Sequence, residues 1–316
     1  LSLVVAIKAT VGSLNQELSA WMNQIFVFDV TCQTNDFSNS AFPTATMPPK
    51  FYETLKADPQ CSEVYGVRTR MMPFGGEDAM LIAYETAAFA KGRIDRGVTD
   101  DPVEERRRSD ALRAGKVAVS RNFARIHGVR VGDMIRLDTP AGPREFQIDY
   151  MQTDFTWFRG CVFMELGAYR NLWRDESLSY IDMRARPGAD LEAFRTHLTG
   201  RWSGEYGVYF YRADQLREYA RKITSDWFAL ANMQLILGVI IGGIGVANTL
   251  LVSVLTQSRQ IGMIRAVGAT VRQVQQMLAI EGATLGLLGG LAGCIMGELT
   301  TRLLVAPMTI KASGYE

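Results

Sequence analysis

The sequence predicts an α+β extracytoplasmic domain inserted between transmembrane α-helices, so that a polar body is joined to a helical membrane domain. Three observations predict it. First, Trp227 to Ser258 carry no formal charge, and a second apolar run, from about Val274 to Gly297, carries only Glu281. A membrane-spanning helix needs roughly 20 mostly apolar residues, about 30 Å at 1.5 Å per residue. Second, Arg259, Arg265 and Arg272 stand between the two runs with no acid among them. A short basic loop joining two spans marks the cytoplasmic side. Third, the chain from Ile25 to Arg212 alternates short strand-like and helix-like segments and is rich in charge. A buried hairpin in a large soluble protein is the competing reading, and soluble cores seldom run this long without charge.

Composition agrees with a chain of two parts. Its 316 residues allow two or three domains, and a formal net charge of +1 supplies no global field for nucleic acid. No signal peptide is visible at the start; residue 1 is Leu, and LSLVVAIKATVG reads as the outer end of a hydrophobic segment already under way. PMTIKASGYE stops without a domain-closing feature, so the sequence is expected to be part of a longer chain. The expected organisation is the outer end of a first transmembrane helix and stalk over 1–24, and the α+β domain over 25–212. A stalk with the second transmembrane helix follows over 213–258, a cytoplasmic coupling helix over 259–272, a third transmembrane helix over 273–298 and an extracytoplasmic loop over 299–316, with no fourth helix.

Each element follows from pattern. Leu14, Leu18, Trp21 and Ile25 share one face of an amphipathic helix over Ser13 to Gln24, where Trp21 either anchors at a membrane interface or packs under the next domain. IFVFDVT, residues 25–31, reads as a strand; Lys50 to Lys56 start a short helix that ends before Pro59; EVYGVRTRMMPF and AMLIAYE suit two more strands. The mixed-charge stretch from Arg93 to Arg113, including DDPVEERRRSD, reads as a solvated insertion or mobile loop. KVAVS is a strand leading into the short helix RNFARIHG, and MIRLDT and REFQIDYM flank a Pro-Ala-Gly-Pro turn as a hairpin. CVFMEL, YIDMRA and GVYFYRA supply strands, and Gly167 to Trp173 and LEAFRTHLTGRW supply helices. From Asp214, a plausible N-cap, Leu216, Tyr219, Ile223 and Trp227 share a helical side, and no Gly or Pro separates them from the apolar run. One long helix is expected there, able to pass a tilt from one side of a membrane to the other.

Inside the apolar runs, Gly282, Gly286 and Gly290 form one row at spacings of four, Gly289, Gly293 and Gly297 a second, and Gly238 and Gly242 a third. Such rows let helices approach closely in lipid, within one subunit or across a dimer. Glu281 is a charge in an apolar span, a placement that costs about 2.5 to 3.5 kcal/mol at the bilayer centre. It either meets a partner, with Gln257, Arg259 or another subunit as candidates, or lies solvated near the headgroups.

Chemistry-bearing motifs are scarce. There is no GxxxxGK[ST] and no GxSxG. His127 and His197 lie far apart without metal-ligand spacing, so each is expected to cap or pack. Of Cys32, Cys61, Cys161 and Cys294, no pair shows CxxC; Cys32 and Cys61 either bridge or stay free, and Cys294 packs as a small hydrophobe. Phe155, Trp157 and Phe158 read as core or contact surface. No metal site and no catalytic constellation is expected.

SVLTQSRQIGMIRAVGATVRQVQQMLAIEGATLGLLGGLAG, beginning at Ser253, resembles the signature of FtsX/MacB-type ABC transporter permeases. Arg259, Gly262, Arg265, Ala266, Gly268, Ala269, Thr270, Val274, Glu281 and Gly282 match its pattern. Gln260 departs, because the family usually carries glutamate there; a charged contact is lost or replaced by a neutral hydrogen bond. KVAVSRNFARIHGVRVGDMIRL looks like the family's outer-domain segment, and W-x-x-Q at Trp21 with D-F-x-W-F-x-G at Asp154 is similar to the second half of a duplicated permease. The resemblance implies a MacB-like periplasmic core domain and four spans per unit. It implies that Arg259, Gln260, Gly262, Arg265, Ala266, Gly268, Ala269 and Thr270 couple to an ABC ATPase dimer that itself binds ATP and Mg, so that this chain is non-catalytic and holds no cofactor. It further implies a second permease subunit or half, a periplasmic or envelope partner, and an inner or plasma membrane location. The family is thought to transmit ATP-driven motion to lipids, lipoproteins, peptides or cell-wall enzymes outside the cell. An extracytoplasmic sensor signalling through the hairpin is the alternative, and a membrane-bound enzyme a third reading that the missing constellation disfavours.

Overall fold

Among the described residues, nine strands make one mixed sheet: β1 (Val30–Gln33), β2 (Cys61–Phe74), β3 (Glu77–Tyr84), β4 (Val117–Ser120), β5 (Met134–Thr139), β6 (Gly142–Gln152), β7 (Cys161–Glu165), β8 (Tyr180–Ala185) and β9 (Tyr209–Arg212). Their spatial order is β5-β6-β4-β7-β3-β2-β8-β1-β9. β3 pairs with β7 and β4 with β6 in parallel; the other pairs are antiparallel. The computed structural model describes residues 18–36, 43, 45–300 and 302–303. The expected end of a first span, Leu14 of its amphipathic continuation and the tail after residue 303 lie outside the described residues. The chain divides into two units, one holding Gln16–Arg221 with the sheet and one holding Lys222–Pro307.

In the sheet unit, alternate residues of each strand point to opposite faces. One face carries a continuous core in which Val30, Val117, Val119, Val162 and Met164 meet helices α2 (Pro49–Lys56), α5 (Arg121–His127), α6 (Leu166–Trp173) and α7 (Leu191–Leu198) through Phe51, Phe123, Tyr169 and Phe194. The opposite face carries two separate clusters. One holds Met80, Leu112, Ala118, Tyr150, Cys161 and Phe163, and the other Phe28, Tyr65, Ala213 and Leu216.

Three expectations are corrected. The stretch from Arg93 to Arg113 is no solvated loop: it holds the end of α3 (Thr86–Asp95) and all of α4 (Pro102–Arg113). The side chain of Asp101 accepts from the Val103 and Glu104 amides, Pro102 takes the first turn, and Glu104 and Glu105 follow at the positive end of the helix. The charges pair instead of repelling, with Glu104 on Arg107 at 2.7 Å and on Arg108 at 2.9 Å, while Leu112 is buried. The strand expected over residues 25–31 begins only at Val30, because helix α1 (residues 18–25) runs on and Phe26 N still donates to Met22 O. Val27 is buried outside the ladder, against Gly92 of α3. Finally, LEAFRTHLTGRW is not one regular helix, for α7 gives way to a π-helical turn at Thr199–Ser203 and a short helix α8 (Gly204–Tyr206).

The open alternatives also resolve. Cys32 and Cys61 are not bridged but free thiols, and Cys32 lies in the core with its sulfur 3.7 Å from Met47 Sδ. Burial pushes the Cys32 thiol pKa well up. Trp21 packs under the domain: its Nε1 donates to Asp154 Oδ2 at 3.3 Å and its ring meets Phe155 edge-on at 5.6 Å. His127 packs against Phe74 and Phe123, and burial lowers its pKa; His197 Nε2 lies 3.2 Å from Asp58 Oδ2.

The other unit is helical. Helix α9 (Ala213–Thr256) starts in the sheet unit and continues without a break; α10 (Ser258–Ala266) and α11 (Val271–Thr300) follow. Asn232–Thr256 and Val271–Leu299 are each long and apolar enough to cross a membrane. The chain itself buries none of the most apolar part of either, whereas the reading of a hairpin buried in a soluble core expects these helices to be covered.

Candidate coupling turn

Between the two apolar helices the backbone makes two tight, side-chain-specified corners. α10 ends at Ala266, and Gly268 follows with φ +111°, a conformation open to glycine and strained for any side chain. Gly268 N donates to Arg265 O at 3.1 Å and Ala269 N to Ile264 O at 3.2 Å, the paired bonds of a Schellman stop. Two residues later Thr270 starts α11. Gln273 Nα donates to Thr270 Oγ1 at 3.4 Å while Gln273 Oε1 accepts from Thr270 N at 2.9 Å, a reciprocal capping box. Gly268, Ala269 and Thr270 thus supply one helix stop and one helix start in three residues, and this fixes the angle at which α10 leaves α11.

α10 has no buried residue. Arg259, Gln260, Gly262, Arg265 and Ala266 all lie on it and are exposed. Beside the arginines, Met263 is 57% and Val267 91% exposed. An exposed helix that mixes cations with bare apolar side chains offers both steering charge and burial area to a partner.

The hairpin is pinned just inside this turn. Ser253 Oγ of α9 donates to Glu281 Oε1 of α11 at 2.8 Å, and Gln257 Nε2 donates to Ser253 Oγ at 3.0 Å. A methyl group on Gly282 would come within 2.9 Å of Leu250 Cδ1, so the helices cross closely there. Gln257 was a sequence candidate for Glu281 and reaches it through Ser253, which sequence reading missed; serine in an apolar helix carries no anomaly, whereas glutamate does. The other glycines divide from Gly282. Gly238, Gly242, Gly286, Gly289, Gly290 and Gly293 each have open space beside them, and Gly297 lies further along α11. The T-x-x-Q cap was legible in the sequence and was also missed.

Residues 232–315 match the family model of the FtsX-like permease C-terminal region, and the chain is similar to proteins described as ABC transporter permeases. It is 24% identical over 325 residues to an uncharacterized ABC transporter permease protein of Mycobacterium tuberculosis, covering 99% of this chain and 37% of that protein. It is 30% identical over 128 residues to the macrolide export ATP-binding/permease protein MacB of Burkholderia thailandensis, covering 40% of this chain and 20% of that one. The chain therefore spans less than two fifths of the length of these curated relatives. Among solved structures, the periplasmic region of MacB from Actinobacillus actinomycetemcomitans aligns with 63% of this chain and 95% of its own, at 11% identity and a TM-score of 0.43.

Proposed function

We propose that the chain is the force-transmitting part of an ABC permease. In this reading α9 and α11 span the cell membrane, the turn from Arg259 to Thr270 faces the cytoplasm, and an ATPase dimer that binds ATP and Mg grips it. Closure of that dimer tilts α9, and α9 carries the motion to the sheet domain outside, which acts on a lipid, lipoprotein or peptide. The chain itself holds no cofactor and performs no chemistry. The observation that carries the reading is α10: a helix with no buried residue, with Arg259, Arg265 and Met263 exposed along it and Val267 exposed at its end, joined to the apolar helix α11 by a helix stop and a capping box. Glycine rows left open on α9 and α11 suit a second permease half, because small residues let helix backbones meet in lipid. The periplasmic or envelope partner and the multi-pass arrangement follow from the same reading.

The test is charge reversal in the assembled transporter. Arg265→Glu is expected to break the complex with the ATPase or to uncouple ATP turnover from transport, with Arg265→Lys retaining most of both. An intact complex with normal coupled turnover in Arg265→Glu would overturn the proposal.

A further inference from the structure

The sheet face opposite the continuous core has a gap between its two clusters, and the gap is a cavity of about 400 Å³. Its floor includes Val67, Ile82 and Phe163, and its roof Trp21 and Ile25 of α1 with Leu216 of α9. That volume is within the range of small-molecule sites, which pair apolar walls with a few placed polar groups.

The placed group is Asp182. It sits in β8, opposite Thr31 of β1 on one side and Tyr65 of β2 on the other, and only 7% of it is exposed. Thr31 hydrogen-bonds its carboxyl. The other oxygen, Oδ1, has no hydrogen-bond partner among the described residues. Burial pushes the carboxyl pKa up to about 7, opposed only by the Thr31 bond. A buried acceptor left unpaired costs about 1 to 3 kcal/mol, and such groups in a cleft concentrate at functional sites. Asp154, also on the wall, is differently placed: it already accepts from Trp21 Nε1 and from Thr156 N at 2.8 Å.

We propose that this cavity binds a small amphiphile, an apolar body carrying one protonated amine, with the ammonium pairing with the Asp182 carboxylate. The apolar walls take the hydrocarbon. A cation is the occupant that both fills the unused acceptor and favours the ionised carboxylate, and an N⁺–H···O⁻ bond is roughly twice as strong as a neutral one. A carboxylate in the same place would meet Asp182 with like charge. The site stands independently of the coupling proposal, since every group in it belongs to the sheet unit.

The full chain, reconstituted in uncharged lipid nanodiscs, would be titrated with 4-phenylbutylamine and followed by saturation-transfer NMR and calorimetry. The isosteric 4-phenylbutanol and 4-phenylbutyrate serve as controls, and empty nanodiscs report partition into lipid. Saturable amine binding is expected, at least about tenfold tighter than either control. Asp182→Asn, which keeps the side-chain shape and removes the charge, should weaken the amine by about tenfold and leave the alcohol unchanged. Val67→Phe, or Ile82→Phe should the first fail to fold, should abolish binding by filling the cavity. Amine binding unchanged in Asp182→Asn or in a folded filling variant, an alcohol as tight as the amine, or no saturable binding at millimolar amine would each overturn the proposal.

Discussion

A methyl group at position 160 has nowhere to go. Gly160 holds φ +96°, and a Cβ there would fall 2.5 Å from Phe123 Cα and 2.7 Å from Phe123 N, both backbone atoms that cannot rotate aside. Gly160→Ala should therefore cost about 3 kcal/mol or more, read as a lowered midpoint of denaturant unfolding. Gly142, with φ +102° but open space around it, isolates the backbone term, and Gly142→Ala should cost only about 1 kcal/mol. Asp182 gives a pH-dependent counterpart. Its folded pKa, about 7, stands above the ordinary 3.8, so the fold favours the protonated form. That contribution is whole below about pH 4 and is lost as pH rises through about 7. Asp182→Asn should thus melt with wild type in acid and above it at pH 8, by up to about 4 kcal/mol, provided no cationic ligand is bound. At this scale the sequence showed Glu281, because a charge in an apolar run is anomalous. It hid Asp182, because an aspartate in an alternating strand looks like the solvent-facing residue it is not.

Local signals made most elements readable. The strand–helix step at Ser120 follows its pattern, with Ser120 capping Phe123 N at 3.4 Å, and β5 and β6 flank their turn as the alternation in MIRLDT and REFQIDYM requires. What failed was helix against charge. α4 carries every start signal a helix can have, Asp101, Pro102 and two glutamates, yet its density of charge reads as solvent until Leu112 and Ser109 are seen buried. The same grammar governs the coupling turn. Thr270→Ala removes the cap and should destabilise the first turn of α11 by about 1 kcal/mol, measured as faster amide exchange at Arg272 and Gln273. About three turns deeper in the hairpin, Glu281→Gln keeps an acceptor for Ser253 Oγ and should retain coupled ATP turnover, whereas Glu281→Ala should lose it. Wild-type turnover in both would leave the Ser253–Glu281 bond with no part in coupling.

No local signal reports the order of the nine strands. β4 lies between β6 and β7, and β3 runs parallel to β7, pairings set by connections through α3, α4 and α5 and by which face each strand must bury. The cavity is a product of that order, since its floor joins β2, β3, β7 and β8, and it was invisible in the sequence for that reason. Helix α9 is different, because continuity is a local property and the absence of Gly or Pro before the apolar run is enough to state it. Its forty-four residues belong partly to each unit, and the coupling proposal stands on its stiffness. Ser225→Pro tests this at one point. Proline removes a backbone donor and its ring strikes the carbonyl four residues back, breaking or kinking the helix at a cost of about 3 kcal/mol. The turn from Arg259 to Thr270 is untouched, so the variant should still bind the ATPase and turn over ATP. ATP with Mg should change amide exchange across residues 18–25 and 213–221 in wild type and in Ser225→Ala, and leave it unchanged in Ser225→Pro. An ATP-dependent change that survives the proline would mean that motion reaches the sheet domain by a route other than α9.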